Sequence, residues 1–303
     1  MGGSNFKTLM NELSHGSDVL RELTPAENRQ LKEHLIAMFQ DVYAVCRKYN
    51  LTIMLGGGSA LGAVRHEGFI PWDDDLDLMM PRKDYEAFKT IFEMELGEKY
   101  ILSAPNYFGK SKARFPKIMK KNTTMKELTD LNSDLPSGIF LDIFVIDNIP
   151  ENRIHRNIKG LWCNALMFAG SQAFWYEHRC GLLKNYMCQT KEGNRVYRDR
   201  MVLGFLCSVI PSWKWHNAID KAIQYNGTTS LVGMPTGRKH FFGEIHSRDI
   251  MIPVCLGIFC NMRVPLPGNT DIYLQKLYGK GYMDLPPENK REKHFIVEFD
   301  LCR

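Results

Sequence analysis

The 303-residue chain is 44% hydrophobic, 24% charged and 11% aromatic, with its 24 Gly and 14 Pro spread without a period. That composition excludes fibrous and disordered classes and suffices for one large or two modest domains. The 39 Lys and Arg against 34 Asp and Glu leave a net charge of +5, which is too mild for a dedicated nucleic-acid binder and compatible with an anionic substrate or membrane surface. Eight cysteines contain no C-x-x-C pair, which suggests reduced, packed thiols in a reducing compartment. The first twenty residues lack the basic, apolar and small-residue segments of a secretory signal, so a cytoplasmic protein is expected.

In chain order, Thr24-Pro25-Ala26-Glu27 reads as a capping box with proline at the first helical position. A long helix should follow, with Leu31, Leu35, Met38, Val42 and Val45 on one face and Arg47 and Lys48 at its C-terminal end. Leu51 to Leu55 reads as a short strand ended by Gly56-Gly57-Gly58, with Ser59 capping a brief helix. Leu76 to Met80 is a second strand ended by Pro81, before a helix that buries Tyr85, Phe88, Phe92 and Leu96. Gly138 to Asp147 is a third strand, apolar enough to be expected buried on both faces. Two apolar runs follow, Gly160 to Tyr176 and Val202 to Trp213. The first is read as a buried helix with membrane-surface contact as its alternative, and the second is too short and too broken by Pro211 to span a bilayer. Strand, glycine turn and helix in alternation predict an α/β (α+β) fold with a mixed sheet and flanking helices. The expected divisions are an N-terminal extension (1–23), a catalytic core (24–150), a mainly helical, acceptor-side insertion (151–240) and a C-terminal part completing the domain (241–303).

The segment Trp72-Asp73-Asp74-Asp75-Leu76-Asp77 carries the strongest chemical signal. In an extended chain Asp73, Asp75 and Asp77 share a face and Asp74 takes the other, and carboxylates so crowded need solvent, protons or a hard cation such as Mg²⁺ or Mn²⁺. A solvated acidic turn is the alternative. The Gly57-Gly58-Ser59 turn ends a strand and opens a helix, where backbone N–H groups can hold phosphate, although it matches neither the P-loop nor the dinucleotide fingerprint. Asp142 lies alone in the apolar run Ile139 to Ile146 and needs a partner: a cation shared with Asp75 and Asp77, a salt bridge, or backbone hydrogen bonds. Asp147 is expected to cap a turn before Pro150. Arg65, Arg82 and Lys117 lie near these motifs in sequence and could offset phosphate charge.

The run GGGSALGAVRHEGFIPWDDDLDLMMPRKDYEAF (56–88) resembles the signature of the LicD family of phosphotransferases, the group that includes the fukutin-related proteins. GIFLDIFVIDNIP (138–150) and YLQKLYGKGYMDLPPENKREKH (273–294) fit the same family in the same order. The resemblance implies a nucleotidyltransferase-like core in which carboxylates on adjacent strands bind Mg²⁺ or Mn²⁺, here Asp75, Asp77 and Asp142. It implies transfer of phosphocholine from CDP-choline, or of a related alcohol phosphate from another CDP-alcohol, to a sugar hydroxyl of a glycan or lipid-linked glycan, with CMP released. Gly57, Gly58 and Ser59 would hold the diphosphate beside Asp73, and Arg65 and Lys117 would offset developing charge. Trp72, Tyr273, Tyr278 and Tyr282 are candidates for an aromatic cage around choline. The same motifs would also serve a nucleotidyltransferase that attaches NMP from an NTP, or a non-catalytic nucleotide-binding relative. A lipid-linked acceptor would place the enzyme at the inner face of the membrane.

Overall fold

The computed structural model describes residues 21–127, 130, 133, 135–287, 291 and 295–301. The N-terminal stretch 1–20, and 288–290 and 292–294 of the third motif, lie outside the described residues. Helix α1 (Pro25–Lys48) starts as its sequence dictates: the Glu27 N–H donates to Thr24 Oγ1, and the Thr24 N–H donates to the Glu27 carboxylate at 2.8 Å. All five expected apolar positions are buried, joined by Phe39 and Cys46.

That face packs on a seven-stranded mixed sheet. The chain supplies β1 (Met54–Leu55), α2 (Gly57–His66), β2 (Asp77–Pro81), α3 (Arg82–Leu96), β3 (Tyr100–Ser103), β4 (Lys117–Lys120), β5 (Thr124–Glu127) and β6 (Phe140–Asn148). The strand order is β1-β2-β6-β4-β3, with β2 and β6 parallel and the other neighbours antiparallel. Helix α3 buries Tyr85, Phe88, Phe92 and Leu96, the four positions its periodicity picks out.

Strand β6 departs from the expectation of burial on both faces. Leu141, Ile143 and Val145 are buried, whereas Phe140, Asp142 and Phe144 are only partly so, because that face opens into a cleft. The alternation ends at Ile146 and Asp147, both buried. Asp147 does not cap a turn: the Arg82 guanidinium clasps both its oxygens at 2.8 Å and also reaches Asp220 at 2.8 Å. Arg82 is thus committed to the fold and is not a phosphate ligand, a correction to the reading of its position in sequence.

Four helices follow, α4 (Arg153–Glu177), α5 (Gly181–Met187), α6 (Lys191–Cys207) and α7 (Ser212–Ile223). Ile149, Cys163, Leu166, Met167, Ile219, Ile223 and Phe241 form a second core between α4 and α7. Helix α4 is not the buried helix its apolar run suggests. One side packs, and the other leaves Ile154, Ile158, Leu161, Trp162 and Phe168 exposed. Among the described residues no helix is long and apolar enough to cross a membrane.

The chain then returns to the sheet through β7 (Leu231–Gly233), α8 (His240–Gly243), β8 (Ile245–Ser247) and α9 (Arg248–Met251), with β7 joining the end of β6. A hairpin of β9 (Cys255–Phe259) and β10 (Met262–Leu266), helix α10 (Thr270–Tyr278) and β11 (Ile296–Asp300), which pairs with β5, complete it.

Candidate active site

The cleft forms where β1 passes into α2. The Gly56 N–H donates to the Asp77 carbonyl at 2.9 Å, and Gly57 adopts a φ of +46°, a conformation that side-chain-bearing residues seldom take. A Cβ on Gly57 would lie 2.6 Å from Asp77 Oδ2, so glycine is required there twice over. The Gly57 N–H donates to Tyr273 Oη at 2.9 Å. Gly58 and Ser59 therefore hold the N-terminal N–H groups of α2 that helix geometry leaves without an intrahelical partner.

Ser59 does not cap this helix. Gly56 occupies the cap position, and Ser59 is a buried residue of the first turn whose Oγ accepts the Asp77 N–H at 2.8 Å. Its side chain fixes the start of β2, leaving only its backbone for an anion.

The acidic residues meet through sheet register. Asp77 and Asp142 stand opposite each other on parallel β2 and β6, and Lys117 stands opposite Asp142 on antiparallel β4. Three titratable side chains thus cross three adjacent strands in one row. Lys117 Nζ bonds Asp142 Oδ1 at 2.6 Å and sits 3.5 Å from the Phe140 ring centre, which supplies the salt bridge that Asp142 needed. Burial, followed by the charges of Asp75 and Asp142, pushes the Asp77 carboxyl well above the ordinary range, against the opposing pull of Lys117.

Asp73, Asp74, Asp75, Asp77 and Asp142 all line one cavity of about 690 Å³, a volume within the roughly 300–1,000 Å³ usual for small-molecule sites. Asp74 does not face away as strict alternation required. Regular strand begins only at Asp77, and residues 71–76 follow an irregular path on which a period of two has no hold.

Among the described residues no three His, Cys, Asp or Glu side chains converge into a ready-made metal cage. The donor set still suits a hard divalent cation in kind, because Asp77 is desolvated among the like charges of Asp75, Asp142 and Asp73, all oxygen donors. Lys117 on Asp142 holds part of that role.

The remaining expected residues divide into lining and support. Gly57, Gly58, Arg65, Trp72, Tyr273, Tyr278 and Tyr282 line the cavity, whereas Ser59 and Lys117 lie behind it. Arg65 donates to the Tyr282 carbonyl at 3.0 Å and the Asp284 carbonyl at 3.2 Å, and so holds the turn after α10 against the cleft. Tyr273 is fully buried, with its hydroxyl committed to Gly57, and buttresses the glycine turn instead of walling a choline cage. Trp72 has the Arg291 guanidinium 4.4 Å from its ring centre and that of Arg65 at 5.9 Å, so one aromatic surface of the cleft already attracts cations. Tyr282 donates its hydroxyl to Asp271 at 2.7 Å, which leaves its ring on the cavity wall.

Sequence reasoning missed a further part of the lining, made by Arg114, Phe115, Phe144, Thr236, Gly237, Arg238 and Glu244. Arg114 is the most telling of these: its Nε–H donates to the Thr236 carbonyl at 3.3 Å, and burial pushes its guanidinium below the ordinary value. The basic run Lys110-Ser111-Lys112-Ala113-Arg114 was the available signal. Nothing local marks Thr236 to Arg238, which enter the site only after the chain has passed through four helices.

With this geometry in place, comparison with known proteins is informative. Residues 50–161 match the family described as LicD/FKTN/FKRP, nucleotidyltransferase domain, a span that holds the glycine turn and Asp73, Asp74, Asp75, Asp77 and Asp142. The chain is 32% identical over 288 residues to a protein of Haemophilus influenzae named lipopolysaccharide cholinephosphotransferase LicD, covering 92% of this chain and 98% of that one. It is also 28% identical over 179 residues to the uncharacterized protein RP689 of Rickettsia prowazekii, covering 59% of this chain and 54% of that protein. Likeness along almost the full length of both chains, with the family's domain falling on the span that carries the acidic cleft, places this protein in the LicD family.

Proposed function

We propose that the protein is a metal-dependent phosphotransferase that moves phosphocholine, or a related alcohol phosphate, from a CDP-activated donor to a sugar hydroxyl of a cell-surface glycan precursor. The observation that carries this reading is the pair Asp77 and Asp142 on β2 and β6, backed by Lys117 of β4 and facing a cavity closed on one side by the N-terminus of α2. The named activity of the Haemophilus relative supports phosphocholine and a lipopolysaccharide-type acceptor.

In the reaction the acceptor oxygen attacks the phosphorus that bears the alcohol. The bond from that phosphorus to the CMP oxygen breaks, its electron pair leaves with CMP, and the hydroxyl proton passes to a base. The N–H groups of Gly58 and Ser59 hold diphosphate oxygens at the positive end of α2. Arg114 offers fixed positive charge from elsewhere on the cavity lining. Asp142, on the cleft face of β6, is the base we assign, held in place by its 2.6 Å salt bridge to Lys117. Asp75, Asp77 and Asp142 are the ligands we assign to Mg²⁺ or Mn²⁺, which when bound supplies charge neutralisation at the diphosphate. Tyr278, Tyr282 and Trp72 are the cavity aromatics suited to a quaternary ammonium.

Isothermal calorimetry with CDP-choline, CDP-ribitol, CTP and ATP, each with Mg²⁺ and again with EDTA, tests the donor class without needing an acceptor. Metal-dependent binding of one CDP-alcohol in preference to the triphosphates is expected, with CMP as the product once acceptor is added. Preference for a triphosphate with pyrophosphate released would transfer the protein to the nucleotidyltransferase class.

A further inference from the structure

The outer face of the α4–α6 helical pair carries two features in continuous order. On α6, Lys191, Arg195 and Arg198 recur at helical spacing, and the same stripe continues as Val202, Phe205 and Leu206 and, just past the helix end, Val209. The three basic residues are exposed, and Phe205 and Val209 are 63% and 85% exposed, values out of keeping with a finished apolar surface.

Helix α4 extends this surface. Ile154, Ile158, Leu161, Trp162 and Phe168 are all exposed and fall within about a third of the helix circumference. The two helices run antiparallel, since Arg200 stacks on Trp175 while Gly204, one turn later, lies against Gln172 and Tyr176. One more turn on each brings the end of α6 level with Phe168, so the two apolar stripes adjoin.

Charge identifies the occupant. Residues 153–215 hold ten Lys and Arg against three acids, a net +7 in a chain whose total is +5. Helix α4 itself reaches the cleft through its packed side, behind the exposed stripe: the buried Gly160 lies against Phe241 and Phe242 of α8, a few residues beyond Gly237 and Arg238 on the cavity wall. A protein partner or a second copy would need a negative counter-surface, and the rest of this chain is only weakly acidic. A bilayer of anionic phospholipid provides both halves of the complement, headgroup charge for the arginines and hydrocarbon for the apolar stripe.

We propose that the α4–α6 face docks peripherally on an anionic bilayer, the apolar stripe entering the headgroup boundary and Lys191, Arg195 and Arg198 lying on the phosphates. The cleft then opens beside the membrane, where an acceptor anchored by an apolar tail is presented. Docking itself does not depend on the reaction proposed for the cleft.

The test is co-sedimentation of the full chain with vesicles of phosphatidylcholine containing phosphatidylglycerol, and with phosphatidylcholine alone. The wild type is expected to pellet with the anionic vesicles only, and less so at high salt. The double variant Leu206→Glu and Val209→Glu should abolish pelleting, and Arg195→Glu with Arg198→Glu should lower partitioning roughly tenfold or more. Because all four side chains are exposed, both variants should keep the wild-type circular dichroism and melting temperature. Failure to pellet with anionic vesicles, equal pelleting with neutral ones, or pelleting that the Leu206 and Val209 changes leave intact would each overturn the proposal. So would a dimer in light scattering that the same double variant converts to monomer without any vesicle binding.

Discussion

The sheet around Asp77 and the helices α4 to α7 both keep groups where a stability-optimised fold would not, but the groups are of opposite kinds. In the cleft, carboxylates are crowded into a desolvated row; on the helices, Trp, Phe, Leu and Val are left in water. A crowded carboxylate row is relieved by a cation, and an apolar face by lipid or another apolar surface. Each region is incomplete in the way that identifies its complement, and the two are joined by Arg82, which reaches from β6 to α7 through Asp147 and Asp220.

The largest effect should come from Asp77→Asn, which keeps the shape and removes the charge. Transfer activity, read as CMP release, should fall at least about a thousandfold, while the melting temperature should rise, because at neutral pH the fold holds a carboxylate that burial and Asp75 resist ionising. Loss of activity together with loss of stability would mean that the row is structural and would remove the contrast between the regions. Arg82→Met tests the joint between them. Burial opposes the Arg82 charge, yet Asp147 and Asp220 raise its guanidinium above the ordinary value, and removing it strands two buried carboxylates. A loss of about 3–5 kcal/mol in urea unfolding is expected, with the donor affinity of the remaining folded protein little changed.

Arg114→Ala sharpens the reading of the cleft itself. With a desolvated guanidinium lining the same cavity as the glycine turn, donor binding measured by calorimetry should weaken by roughly 10- to 100-fold. Arg114→Lys should restore only part of it, since a point charge lacks the planar fork. Unchanged donor affinity would leave the anion to α2 alone.

What could be read beforehand follows a physical division. The capping box, the apolar faces of α1 and α3 and the glycine turn are local features, set by residues close in sequence, and are where periodicity and spacing put them; the acidic cluster is local too, but Asp74 departs from the alternation. The family resemblance was legible for the same reason, because its motifs are short and contiguous. Partnerships formed across the fold were not legible. Lys117 looked like a phosphate ligand and pairs with Asp142 because β4 lies beside β6; Tyr273 looked like a cage wall and braces Gly57 because α10 lies under the turn. Burial was also misjudged where it depends on neighbours far along the chain. Helix α4 has enough apolar residues for burial all round, but α7 and α8 cover only one side of it.

A smaller effect compares the two regions directly, because each buries one histidine. His216 of α7 lies among Ser111, Arg114 and His178, and His246 of β8 sits behind Tyr273 with neither ring nitrogen bonded. Burial lowers both from 6.5 to about 4, with nearby positive charge adding to it: Arg114 and His178 for His216, Lys276 and Lys239 for His246. Both rings are neutral in the fold and protonate in the unfolded chain at the ordinary value. Their contribution is therefore complete above pH 6.5 and declines as pH falls towards 4, by roughly 1.4 kcal/mol per pH unit for each ring. Asp77 works in the opposite direction, since its raised value makes the fold take up a proton that the unfolded chain releases. Urea unfolding between pH 6.5 and 5 in the Asp77→Asn background, compared with and without His246→Leu, reads the share of His246 by difference. There His246→Leu should lower the acid slope by up to roughly 1.4 kcal/mol per pH unit and also raise stability at pH 7.5, because a buried ring with two unbonded nitrogens is replaced by an apolar side chain. An unchanged slope would mean that His246 is already hydrated in the fold and that the floor of the cleft is open to water.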